Sequence, residues 1–259
     1  MQRQSNSYTL LFSFGVAFAC ALLLALASQA LKPRQDLAQE ADIKRNILQA
    51  LGLMKAVGND ACDIRESSGE KCADIACCYR ENVKVFIVDS SGAPAESNLK
   101  AEQIDLAREM DKAPAERRLP VFTRVKDGTV TAYCFPVYGK GLWSSIYGYV
   151  ALERDLDTVL GITFHKQGET PGLGGEIQSL EFRRNFNGKK VFDAKGALVA
   201  VAVMKGKAAT ALPESLHQVD GITGATITGK GVTALLKKSL ALYEPYILSE
   251  KKGGRHGVR

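Results

Sequence analysis

The chain has 259 residues, 46% hydrophobic and 24% charged, the balance of an ordinary globular protein with material for a sizeable core and room for one large domain or two small ones. Its net charge of +6 is misleading, because Lys251 to Arg259 hold four basic residues and no acid, which leaves +2 for the rest. The charge marks a basic tail rather than a basic domain, and without interleaved aromatics it argues against a nucleic-acid partner.

No charged residue occurs from Gln4 to Leu31. The apolar run Tyr8 to Leu31 would reach about 36 Å as a helix, enough for a hydrocarbon core of about 30 Å. It is predicted to be a transmembrane anchor, with the lipid bilayer as its partner. Ala25-Leu26-Ala27 and Ser28-Gln29-Ala30 each suit a signal peptidase, so a cleaved signal is the rival. The length of the run and the weak basic flank, Arg3, favour the anchor. Lys32 and Arg34 outweigh Arg3, so charge alone does not settle orientation. Pro33 is expected to end the anchor, and Asp36 to Met54 then reads as a helix with an apolar stripe.

Cys62, Cys72, Cys77 and Cys78 follow at spacings that fit no zinc or iron–sulfur pattern. In an oxidising compartment, one or two disulfides in a loop are expected. Val83 to Asp89 is a strand closed by Ser90-Ser91-Gly92, and Asn98 to Lys112 a short helix. Val121 to Lys126, Asp127-Gly128 and Thr129 to Tyr138 spell a hairpin. Ile146 to Leu152, Val159 to Phe164 and Leu198 to Met204 are further strands. The final helix carries Val232, Leu235, Leu236 and Leu240 at core spacing. Hairpin connections point to an α+β fold with an antiparallel sheet and flanking helices, not to a doubly wound parallel sheet.

Two glycine-rich loops interrupt the sheet. The first, Tyr138 to Ser144, contains Trp143, and composition alone reads it as a hairpin loop with a buried aromatic. The second runs from His165 to Glu176. Ile177 stands where a dinucleotide fingerprint needs its last glycine, so a Rossmann reading fails. Both loops suit a wall for a planar ligand: glycine lets backbone approach a ring, and Glu169 and Thr170 can reach its polar edge. His165 is expected to be a hydrogen-bonding surface group, not a metal ligand. No nucleophile–base pair suggests hydrolysis.

The stretch Asp220-Gly221-Ile222-Thr223-Gly224-Ala225-Thr226-Ile227-Thr228-Gly229 precedes the final helix. It reads as a glycine turn and a capped helix start, where N–H groups point outward and suit a phosphate. Gly224 to Lys230 also spells G-x-x-x-x-G-K, but Gly231 replaces the Ser or Thr a P-loop needs.

D-G-I-T-G-A-T-I-T resembles the flavinylation motif of the FMN-binding subunits of bacterial respiratory pumps. With P-V-Y-G-K-G-L-W-S and H-x-x-x-E-T-P-G-L-G-G-E-I, the chain is similar over nearly its whole length to the C subunit of the Na⁺-translocating NADH:quinone reductase family. The E-T-P-G-L-G loop and the motif are shared with the G subunit of the Rnf electron-transport complex; G-K-G-L-W favours the reductase. The cysteine-rich segment and Gly229-Lys230 depart from the family pattern.

The resemblance implies a redox subunit whose FMN, joined through its phosphate to Thr226, relays electrons. Asp220, Thr223, Gly224, Ala225 and Thr228 are then motif residues, with Thr228 and Thr223 the competing hydroxyls. Glu169, Thr170, Gly172, Leu173, Gly174 and Trp143 would form the flavin wall, and Lys205 would help neutralise the phosphate. No metal is implied. Partners would be the other membrane subunits and a flavin transferase. Residues 1–34 would be a cytoplasmic stub and anchor in the bacterial inner membrane, and 35–250 a periplasmic domain with its FMN-binding region at about 136–248. Residues 251–259 would be a basic tail. The rival from another class is a membrane-anchored extracytoplasmic module that holds a loose ligand.

Overall fold

The structure, a computed structural model, describes residues 6–54 and 74–253. The chain divides after Ala41 into two compact units.

Helix α1 (Asn6–Ala50) runs through Pro33 without ending there. Proline removes one helical hydrogen bond and crowds the preceding turn. Here strong helix formers on both sides, Ala21 to Ala30 and Gln35 to Ala41, carry the helix across it. The first unit leaves its apolar side chains uncovered: Leu11, Phe14 and Leu24 are each more than 70% exposed. The helix is long and apolar enough to cross a membrane.

The second unit is built on a five-stranded antiparallel sheet in simple sequence order. Before the sheet stands α2 (Ile75–Asn82), followed by β1 (Val83–Val88) and the short α3 (Leu106–Asp111). Then come β2 (Leu119–Lys126), β3 (Thr129–Lys140), β4 (Ser145–Glu153) and β5 (Val159–Lys166). The Asp127-Gly128 hairpin forms as the sequence predicts, both residues at positive φ, 50° and 74°, the conformation that matches strand twist. The helix expected at 98–112 is shorter. A 3-10 turn at Ala101–Gln103 precedes α3, whose own start is capped by Asp105 accepting from the Ala107 N–H at 3.0 Å.

Alternation along the strands divides the core. Tyr133, Phe135 and Val137 face the terminal helix α5 (Thr226–Gly253), which buries Val232, Leu235, Leu236, Leu240 and Tyr243 against them. Ala132 and Cys134 face the other way, toward Ile47, Leu48 and Leu51 and toward Cys78 and Tyr79 of α2. The end of α1 is fixed by a left-handed Gly52 (φ 70°). The Leu53 N–H donates to Leu48 O at 2.8 Å, Gly52 N–H to Gln49 O at 3.1 Å, and Arg124 to Leu51 O at 2.9 Å. These bonds satisfy carbonyls the helix leaves open.

The second half adds a short helix and one further difference from the sequence reading. α4 (Leu180–Arg184) follows a 3-10 turn at Gly174–Gln178. The strand expected over Leu198–Met204 shrinks to β6 (Ala202–Val203), paired in parallel with β7 (Gln218–Val219). Ala200 adopts φ 58°, and the N–H groups of Val199 and Ala200 both turn onto Val191 O at 2.9 Å, so the run cannot stay extended. Cys78 is disulfide-bonded, whereas Cys62 and Cys72 lie outside the described residues.

Candidate functional site

The β3–β4 loop, the loop after β5 and the start of α5 enclose a groove of about 270 Å³. Leu142 and Trp143 come from the first loop, Glu169, Thr170, Leu173 and Gly174 from the second, and Gly224 to Thr228 from the helix start. The two glycine loops, far apart in sequence, are thus brought to one place with most of the flavinylation-like stretch.

The turn into α5 depends on its glycines. Gly224 has φ 77°, a region other residues resist. At Gly221 a Cβ would lie 2.0 Å from Met204 O, so only glycine lets these backbones pass. Asp220 fixes the approach from the other side: its carboxylate accepts the Ala208 N–H at 2.8 Å and the Lys207 ammonium at 2.6 Å. Those two donors hold its pKa below the usual carboxylate value despite some desolvation.

Glu169 is the hub of the groove. It is only 5% exposed. Its carboxylate accepts the backbone N–H groups of Leu142, Trp143 and Ser144 at 3.0, 3.0 and 3.1 Å. It also accepts the Thr228 hydroxyl at 2.6 Å. Burial pushes its pKa up, but the hydrogen bonds from Thr228 and the three amides outweigh that and hold the carboxyl below its ordinary value. Its charge is therefore taken up by the protein's own donors. Packing follows suit: a Cβ on Gly174 would sit 2.5 Å from Thr228 Oγ1, and one on Gly141 2.5 Å from Glu169 Oε1.

The three hydroxyls of the motif differ in setting. Thr228 is 1% exposed, its Oγ1 given to Glu169. Thr223 is exposed and does not line the groove. Thr226 is half-buried, lines the groove and is the first residue of a 28-residue helix. Asp220, Gly172 and Lys205 also lie outside the lining. Gly172 makes a turn at φ 75°, and Lys205 is exposed on the β6–β7 connection.

Trp143 corrects the reading from composition. The residue is 73% exposed, because the short loop points the indole away from the core and turns only the backbone N–H inward, to Glu169. Leu142, Leu173 and Ile227 stand exposed around the same groove. Sequence reasoning missed Leu142 and Ile227, and missed Ser144, whose hydroxyl accepts the Gly168 N–H at 2.6 Å and so joins the two loops. Their signal was only adjacency to the motifs. His165 is also not the surface group expected. It stacks on Tyr149 with ring centroids 5.3 Å apart, its Nδ1 is buried without a partner, and burial lowers its pKa. Among the described residues no group of His, Cys, Asp and Glu could hold a metal ion.

An apolar rim beside a helix start suits a ligand with a planar apolar ring and a phosphate. Gly174 and Gly224 add to the fit, since a Cβ at either would crowd the groove wall.

Comparison with known proteins agrees. The FMN-binding domain family matches residues 141–241, the span that contains the end of the first loop from Gly141, the whole second loop and the helix start. The chain is 40% identical to the C subunit of the Na(+)-translocating NADH-quinone reductase of Haemophilus ducreyi, over 89% of this chain and 88% of that protein. It is 32% identical to the Pseudomonas aeruginosa C subunit, over 97% and 98%. Among solved structures, the C subunit from Parabacteroides distasonis superposes with a TM-score of 0.67 at 32% identity, covering 84% of this chain and 96% of that one.

Proposed function

The chain belongs to the family of Na(+)-translocating NADH-quinone reductase C subunits, and from that premise we propose that it carries FMN on the Thr226 hydroxyl and relays electrons within a Na⁺-pumping complex. The observation that carries the assignment is the contrast among the three hydroxyls. Thr226 lines the groove at a helix start, Thr228 Oγ1 is committed to Glu169, and Thr223 lies outside the lining. A phosphoester at Thr226 places its remaining charge where the helix dipole favours it.

When bound, FMN supplies the electron-transfer chemistry. The protein's part is to hold and shield. Trp143, Leu142, Leu173 and Ile227 offer apolar surface to a ring, and Thr170 and the glycine backbone offer polar edges. Asp220 holds the turn that leads into α5, and the exposed Lys205 adds positive charge on that side. The other subunits supply the NADH and quinone sites, and a flavin transferase makes the ester.

The same reading puts α1 in the bacterial inner membrane, with residues 1–34 as cytoplasmic stub and anchor, residues 35–250 in the periplasm and 251–259 as a basic tail. The disulfide at Cys78 supports it, because such bonds persist in oxidising compartments. Lys32 and Arg34 lean the other way on a charge count. After mild reduction, a membrane-impermeant thiol reagent should label the domain's cysteines in intact cells; protection until lysis would reverse the orientation.

Thr226→Ala tests the attachment. Protein from its native membrane should lose denaturation-resistant flavin fluorescence and the mass of one FMN less water, with its fold retained. Covalent flavin that persists in Thr226→Ala, or a modified peptide carrying it on Thr228, would overturn the assignment.

A further inference from the structure

Thr228 and Glu169 pose a question that flavin attachment at Thr226 leaves open. Both are buried polar side chains, 5% and 1% exposed, and they meet at 2.6 Å although 59 residues separate them. Neither has its polar atoms free for a ligand: Thr228 donates to Glu169, and Glu169 also takes three consecutive amides. Three successive N–H groups converging on one point form an anion site. Here the protein fills it with its own carboxylate.

We propose that Glu169 and Thr228 form a latch that fastens both glycine loops to the first turn of α5 and so sets the groove wall opposite the Thr226 hydroxyl. Thr228 is then a positioning residue whose hydroxyl orders the site without touching the flavin. The carboxylate belongs to the second loop, its amide partners to the first and its hydroxyl partner to the helix. One carboxylate thereby couples all three walls. A Cβ added at Gly174 or Gly141 would collide with these same two side chains, so both positions need glycine while the latch is closed. The link to flavin loading rests on the reading of Thr226 as the attachment residue; the latch itself does not.

The test uses the full chain in its native membrane or in detergent. In Thr228→Val, which keeps the shape and removes the donor, the Leu142, Trp143 and Ser144 amides should exchange with deuterium about tenfold faster. The fraction of protein carrying flavin by intact mass should fall, with Thr226 still present. Thr228→Ser should restore both. Glu169→Gln, which removes the charge and sets an N–H₂ where the Leu142 N–H and the Thr228 hydroxyl now donate, should also loosen these amides. Unchanged exchange in a folded Thr228→Val protein would overturn the latch, as would a Thr228→Ser variant as loose as Thr228→Val. Faster exchange with undiminished flavin content would overturn the positioning role. Covalent flavin retained by Thr226→Ala would instead overturn the attachment reading and leave the latch standing.

Discussion

The two ends of the stretch from Asp220 to Thr228 are held by the same device in opposite settings. At each end a carboxylate takes backbone and side-chain donors, one amide and Lys207 upstream and three amides and Thr228 downstream. Upstream, Asp220 is 37% exposed and its Lys207 partner 90% exposed. Downstream, Glu169 is 5% exposed and its Thr228 partner 1%. Charge in water is screened, and exposed pairs contribute little. A buried carboxylate with every donor satisfied is costly to disturb, because each group left behind is stranded. The upstream end is therefore a guide for the chain, and the downstream end is a clamp.

Removing the buried acid should have the largest effect. Glu169→Ala strands three amides and a hydroxyl, and should destabilise the domain by about 2–4 kcal/mol and sharply lower flavin content, measured by thermal unfolding and intact mass. Acid should reproduce part of this without mutation. The folded pKa of Glu169 lies below its ordinary value, so its contribution is complete above the range where free glutamate titrates. It is lost as pH falls through the lower folded value. For His165 it is burial that lowers the pKa, so a separate loss should begin at higher pH, below about 6.5 where free histidine gains its proton. Two distinct steps in stability against pH, the upper one absent in His165→Phe, would separate them.

At the upstream end, backbone contact should matter more than charge. Gly221→Ala forces a methyl against Met204 O and should cost about 1–3 kcal/mol, visible as a lowered Tm. Lys207→Ala should show the smallest change of all, and that change should vanish in high salt. A large, salt-independent loss there would erase the distinction between guide and clamp.

Local chemistry made much of this legible in the sequence. The hairpin at Asp127-Gly128 and the alternating runs on either side of it announced the sheet. The glycine loops and the T-G-A-T-I-T stretch announced the site. What stayed hidden depends on distance along the chain. Glu169 finds its partners 25 to 59 residues away, and no spacing rule relates them. The run at 198–204 looked like a strand because its composition is β-branched and apolar, yet Val191 diverts it at Ala200. Trp143 looked like core because aromatics usually are; a short loop that turns its amides onto Glu169 leaves the indole outside. Pro33 looked like a stop because propensity is local, whereas a helix with strong formers on both sides continues.

The seating of α5 on β3 has a geometric consequence. Ser239, wholly buried, accepts the Tyr138 N–H at 3.0 Å and donates to Tyr138 O at 3.2 Å. A Cβ on Gly139 would collide with Leu235, and one on Gly231 would lie 2.4 Å from Lys140 O. The helix is thereby indexed against the strand like a screw stopped at one thread. One residue added between Thr226 and Thr228 would leave every one of these stops, and the bond from Thr228 to Glu169, engaged. It would still swing the Thr226 hydroxyl by about 100° and carry it about 1.5 Å along the axis, out of the groove, in a protein whose core had not noticed the change.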